Sequence, residues 1–127
     1  MAVAKYILAA DDERPNLILL NRILSPEYNL IIAKTGGEVL LRADSNVPDL
    51  VLLDIMLPDM SGFDVLRELK RQPKTQDVPV IFITGLEGGD FEKTGLELGA
   101  AGFIKKPFSA EEVLSSVRAQ IGGAPSK

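Results

Sequence analysis

Cysteine and histidine are both absent from the 127 residues. Without cysteine there is no disulfide framework and no thiolate chemistry, which suits a reducing compartment. Without histidine, imidazole catalysis and the usual zinc ligand sets are excluded as well. No apolar run approaches the ~20 residues that span a bilayer. The opening MAVAKYILAADDE meets acids too soon for a signal peptide. Nor is there a basic excess: the net charge is −4, against the positive surface that nucleic acid requires. These absences suggest a cytoplasmic protein that engages neither membrane nor nucleic acid directly. The rest of the composition, 46% apolar and 25% charged, is that of one globular domain.

Two periodicities alternate along the chain. YILAA (6–10), YNLIIA (28–33), LVLLD (50–54), VIFIT (80–84) and GFIKK (102–106) are short and apolar, as strands buried on both faces read. Between them lie helical patterns. Thr35 with Glu38, and Ser109 with Glu112, have the spacing of capping boxes. Leu17, Leu20 and Leu24 share one helical face, as do Phe63, Leu66 and Leu69, and Val113, Leu114, Val117 and Ile121. Segment 85–100 is the weakest helix, because Gly88, Gly89 and Gly95 each cost about 1 kcal/mol against alanine in a helix interior. Its first turn is expected to be weak or late. Five β-α units in a row predict a parallel sheet with helices on both faces. The tail GGAPSK (122–127) reads as a linker or a frayed end and leaves no residues for a second domain.

The chemistry gathers at strand ends. The run VLLDIMLPDMSG (51–62) stops on Asp54; Asp11 and Asp12 follow the first strand, Thr84 ends the fourth and Lys106 follows the fifth. Open parallel sheets bind ligands at that end. Each residue alone has an ordinary reading: a helix N-cap for the acids, strand propensity for Thr84, a solvated charge for Lys106, core for Phe103 and a turn for LPDMSG. Their arrival together on one rim is what those readings leave unexplained. Two like charges about 4 Å apart repel by about 4 kcal/mol at an effective dielectric of about 20. One lysine offsets only part of that among three acids, so a hard divalent cation is the natural partner. Metal, lysine and hydroxyl together would clamp a phosphoryl group, with Asp54 as nucleophile.

ADDE (10–13), LVLLDIMLPDMSG (50–62), VPVIFITG (78–85), GLELGA (95–100) and KPF (106–108), in that order, resemble the receiver domain of bacterial response regulators. The resemblance runs from about Lys5 to Ile121, making 1–121 the receiver domain. It implies an α/β, flavodoxin-like (βα)5 fold, doubly wound with strand order 2-1-3-4-5. It also implies a regulatory phosphoacceptor rather than a metabolic enzyme. Asp54 would take the phosphoryl group from a histidine kinase or histidine phosphotransfer protein. Asp12, Asp54 and the Met56 carbonyl would ligate Mg²⁺ or Mn²⁺ directly, and Asp11 mainly through water. Lys106, before a cis Pro107, would pair with the phosphoryl oxygens. Thr84 and Phe103 would be the coupled switch, and the face of residues 86–121 would meet a downstream effector or form a phosphorylation-dependent homodimer.

The sequence departs from the family pattern at Ala9, Ala10, Pro15 and Gly102, none of which is a site position. In the family that the sequence resembles, the residues two beyond the phosphoacceptor and two beyond the switch threonine flank the path of attacking water. Here they are Met56 and Leu86, both apolar, so the resemblance implies slow self-dephosphorylation. Two alternatives have distinct marks. A haloacid-dehalogenase-like phosphatase would show Asp-x-Asp where this chain has DIM and DDE. A flavodoxin-like binding module needs a neutral phosphate-cradling loop after the first strand, where DDERP stands instead.

Overall fold

The structure, a computed structural model, describes residues 5–86 and 89–122. Gly88 and residues 123–127, which carry expectations of a weak helical turn and a linker, lie outside those residues.

Strands and helices alternate: β1 (Tyr6–Ala10), α1 (Arg14–Leu24), β2 (Asn29–Ala33), α2 (Gly36–Ser45), β3 (Leu50–Leu53), α3 (Gly62–Arg71), β4 (Val80–Thr84), α4 (Gly89–Glu97), β5 (Gly102–Lys105) and α5 (Ala110–Ile121). The strands pair in parallel, as their alternation with helices predicts, and their order is β2-β1-β3-β4-β5, as the family resemblance implies. Side chains alternate across a strand, so the sheet divides its apolar residues between two cores. Leu8, Val51, Leu53, Val80 and Phe82 face α2 and α3, where Val39, Val65, Leu66 and Leu69 close one core. Ile7, Leu50, Leu52, Ile81, Ile83 and Ile104 face α1 and α5, where Leu20, Leu24, Val113 and Val117 close the other. Among the described residues no helix is long and apolar enough to cross a membrane.

Three expectations need correction. β2 is not buried on both faces: Ile31 and Ile32 are exposed, because β2 is an edge strand and only Ala33 along it is buried. The first capping box is displaced by one residue. Glu38 N–H donates to Thr35 Oγ1 at 3.1 Å, but the Glu38 carboxylate accepts from Lys34 N–H, at 2.8 Å, rather than from the cap's own amide. At the second, Glu112 N–H donates to Ser109 Oγ at 3.1 Å, and the helix start is an N-cap. Pro15 stands in the first turn of α1, where no N–H donor is needed. Helix α4 is described from Gly89 to Glu97.

Candidate functional site: an acidic rim bridged by one lysine

The order of strands reverses between β1 and β3, and the loops leaving those strands diverge there to open a crevice. Asp11 and Asp54 stand one residue beyond the two strands. Their backbones remain in the sheet: Asp54 N–H donates to Ala10 O at 3.0 Å and Asp11 N–H to Ala33 O at 3.2 Å. Both residues are buried. A buried carboxylate is costly unless paired, and the partner is Lys106, carried in just past β5. Its Nζ lies 2.7 Å from Asp11 Oδ2, 2.7 Å from Asp54 Oδ2 and 3.6 Å from Glu13 Oε1. The neighbouring Lys105 is exposed and lines a different cleft. The Lys106–Pro107 peptide bond is cis.

The second oxygens are also engaged. Asp54 Oδ1 accepts from Met56 N–H at 3.1 Å, and Asp11 Oδ1 from Glu13 N–H at 2.9 Å. Burial raises the Asp54 pKa above the ordinary carboxylate value; the Lys106 bond and the Met56 amide work the other way without cancelling it, and Asp11 adds repulsion. For Lys106, burial is the largest single influence and disfavours the ammonium. The bonds to Asp11 and Asp54 together outweigh it, and its pKa is raised. One cation thus serves two buried acids.

Asp12 and Glu13 are exposed beside them, and Asp11, Asp12, Glu13 and Asp54 each bring an oxygen within 4.8 Å of the others. Among the described residues Asp12 has no ion-pair partner. A set of hard oxygen donors with more negative charge than one ammonium neutralises is suited to Mg²⁺. Beside it opens a cleft of about 290 Å³ lined by Asp12, Glu13, Asp54, Met56, Thr84, Gly85, Leu86 and Lys106.

Thr84 is buried at the end of β4, and its Oγ1 accepts from Leu86 N–H at 3.1 Å. Phe103, on β5, is half-buried. Its ring lies 5.3 Å from that of Phe82, tilted by 41°, and borders a second cleft of about 250 Å³ reaching Thr84 and Glu112. Thus Asp11, Asp12, Asp54, Met56, Thr84 and Lys106 meet at the rim beyond the strand ends, and Phe103 lines the neighbouring cleft. Sequence reasoning missed Glu13. The signal was there, a third acid in ADDE, but at a helix start an acid reads first as a cap; here the Glu13 side chain makes no cap bond.

The family model described as the response regulator receiver domain matches residues 7–118. Response regulator PleD of Caulobacter vibrioides is 41% identical over 113 residues, which are 88% of this chain and 25% of that protein. The alkaline phosphatase synthesis transcriptional regulatory protein PhoP of Bacillus subtilis is 39% identical over 117 residues, covering 91% of this chain and 48% of PhoP. The chain therefore spans between a quarter and a half of the length of these relatives. Among solved structures, a CheY-like response regulator receiver domain protein from Methanospirillum hungatei superposes with a TM-score of 0.87 at 29% identity, covering 94% of each chain. With the doubly wound sheet and the acidic rim described above, these matches settle the family: the chain belongs to the response regulator receiver domains of two-component signalling.

Proposed function

We propose that Asp54 is the phosphoryl acceptor of this receiver. The observation that supports it most is the Lys106 ammonium at 2.7 Å from both Asp54 and Asp11, at the mouth of an open cleft. An Asp54 carboxylate oxygen attacks phosphorus of a phosphohistidine. The P–N bond breaks, its electron pair stays on the imidazole nitrogen, which takes up a proton, and an acyl phosphate remains on Asp54. The donor is a histidine kinase or a histidine phosphotransfer protein, and the setting is cytoplasmic. Asp12, Asp54 and the Met56 carbonyl would hold Mg²⁺ or Mn²⁺, with Asp11 behind a water and Glu13 at the edge. The ion supplies positive charge for the phosphoryl oxygens. Lys106 is placed to turn from the Asp54 carboxylate to the phosphoryl oxygens, and Thr84 keeps its hydroxyl proton free to donate to them. Phe103 and the 86–121 face would carry the change to an effector domain or to a second copy of the chain. Met56 and Leu86 border the cleft without a group to orient water, so the acyl phosphate should be long-lived.

Mass spectrometry after incubation with a small acyl-phosphate donor and Mg²⁺ tests the reading. One phosphoryl group should appear on Asp54, and Asp54→Asn should remove it. Lys106→Ala should still be labelled but show no structural response. Label persisting in Asp54→Asn would move the acceptor elsewhere. Turnover of phosphomonoesters would favour the phosphatase alternative.

A further inference from the structure

The stretch LPDMSG reads from sequence as a turn before a helix, and no part of the chemistry above uses its acid, Asp59. In the fold Asp59 reaches across to a different β-α unit. Its Oδ1 accepts from Gly36 N–H at 2.8 Å and its Oδ2 from Gly37 N–H at 2.9 Å. These are the first two residues of α2, whose third amide is already capped by Thr35. The carboxylate also faces the backbone amides of Asp59 itself and Met60, and together these donors hold its pKa below the ordinary value.

The same approach is built into the sterics. A Cβ on Gly36 would lie 2.3 Å from Met60 Cγ and 2.7 Å from its Sδ, so the loop lies directly on the glycine. At its base the loop is closed by Gly62 N–H donating to Ile55 O at 2.7 Å and by a bridge between Met56 and Ser61. Loop 55–61 is therefore closed at its base, just beyond β3, and tied at its tip to α2. Met56, whose carbonyl is the backbone ligand proposed above, is itself part of the basal closure and is joined to the tie at the tip through Leu57, Pro58 and Asp59.

We propose that Asp59 is a positioning residue for the acidic site: by bridging to the first turn of α2 it holds loop 55–61 so that the Met56 carbonyl stays directed to the metal. The inference rests on the metal-assisted acceptor reading of the same site. Asp59 touches neither metal nor phosphoryl group. It acts through the loop, as outer-shell partners act through the ligands they orient.

The test compares Asp59→Ala with Thr35→Ala, which removes the other cap of the same helix without touching the loop. Both should lower the melting temperature of the metal-free protein. Only Asp59→Ala should also raise the Mg²⁺ concentration for half-maximal thermal stabilisation and half-maximal Asp54 labelling, by about tenfold. Its labelling rate at saturating Mg²⁺ should stay within about twofold of wild type. Asp59→Asn, which keeps one acceptor oxygen, should fall between, and replaces Asp59→Ala if that variant does not fold. An unchanged Mg²⁺ midpoint in Asp59→Ala, or an equal shift in Thr35→Ala, would overturn the positioning role and leave Asp59 a helix cap. A wild type that is stabilised by Mg²⁺ but never labelled at Asp54 would overturn the acceptor reading alone, since the thermal titration still judges Asp59. A wild type indifferent to Mg²⁺ would overturn the positioning role together with the metal site.

Discussion

Helices α3 and α4 follow adjacent strands on the same face of the sheet, yet they are attached to the core very differently. Helix α3 buries Gly62, Val65, Leu66 and Leu69, and its first residue sits against the backbone of Asp54. In α4 only Gly95 is buried, and Phe91 and Thr94 are half-buried. Fully burying a leucine or valine side chain is worth about 1.5–3 kcal/mol, so three such residues give α3 several kcal/mol of attachment that α4 lacks. The difference divides the labour around Asp54. The α3 side is packed against the backbone of Asp54, and its loop is tied to α2. The α4 side, beside Thr84 and Phe103, is weakly attached, which suits the switch proposed above.

The largest effect that would sharpen this contrast comes from two glycines. At Gly62 a Cβ would lie 2.3 Å from Asp54 O and 2.9 Å from Ile55 Cα, both backbone atoms that cannot move aside without distorting the site. Gly62→Ala should therefore cost about 3 kcal/mol or more, beyond ordinary overpacking. At Gly95 a Cβ would meet Phe103 Cζ at 2.4 Å and Cε2 at 2.7 Å. That ring borders the cleft of about 250 Å³ and has somewhere to go. The alanine also regains about 1 kcal/mol of helix propensity. Gly95→Ala should be near neutral in denaturant unfolding while shifting the Phe103 ring resonances. Equal losses in both variants would break the contrast.

Native-state hydrogen exchange measures the same contrast without mutation. Local opening draws on the elements with the fewest buried apolar contacts. Amides of α4 should exchange at least about 100-fold faster than those of α3, an opening free energy lower by about 2.7 kcal/mol. With a phosphate mimic bound, protection should rise in α4 and near Phe103 and change little in α3. Protection unchanged in α4, with changes confined to another face, would place the response elsewhere.

Substitution at the acidic rim should act on a smaller scale. Asp12 is exposed, shares the rim with three other acids and does not reach Lys106. Asp12→Asn should raise the melting temperature of the metal-free protein by a few degrees at low salt, since like charges about 4 Å apart repel by about 1 kcal/mol in water. It should also remove most of the stabilisation by Mg²⁺. A neutral or destabilising change, with no Mg²⁺ dependence in wild type, would count against the metal site.

Most of this organisation was legible because it follows from period and position. Alternating apolar strands and helical stripes predict a parallel sheet with helices on both faces, and the resemblance to the receiver family supplies the strand order. A sheet of that order brings the residues at or just beyond the ends of β1, β3, β4 and β5 to one edge, so Asp11, Asp54, Thr84 and Lys106 could be grouped before any distance was known. What was not legible depends on contacts between segments far apart in sequence. Ile31 and Ile32 have the composition of a buried strand, and only the strand order makes β2 an edge. Gly95 reads as a helix weakness, yet in the fold it makes room for Phe103. Asp59 lies 22 and 23 residues from the amides it accepts from, and nothing local to LPDMSG distinguishes a turn acid from a link between units.

That link also sets the smallest expected effect, which is pH-dependent and of opposite sign to that of Asp54. The backbone amides around Asp59, led by those of Gly37 and Gly36, hold its pKa in the folded protein below the ordinary 3.8. A carboxylate so lowered contributes stability that is complete above its unfolded value and is lost as pH falls through the lowered one. For Asp54 burial raises the folded pKa, so its contribution is present below the unfolded value and is lost as pH rises through the raised one. Acidification of the metal-free protein therefore weakens the tie at Asp59 while relieving the strain at Asp54. Asp59→Asn cannot lose a charge, so its melting temperature should lie below that of wild type at neutral pH and approach it as pH drops below the ordinary carboxylate range. Asp54→Asn should lie above wild type at neutral pH and approach it from the other side. Thermal melting of the three proteins across that range would show the two gaps closing from opposite directions. A gap for Asp59→Asn that stays constant with pH would mean that the amides of Gly36 and Gly37 do not favour the charged form.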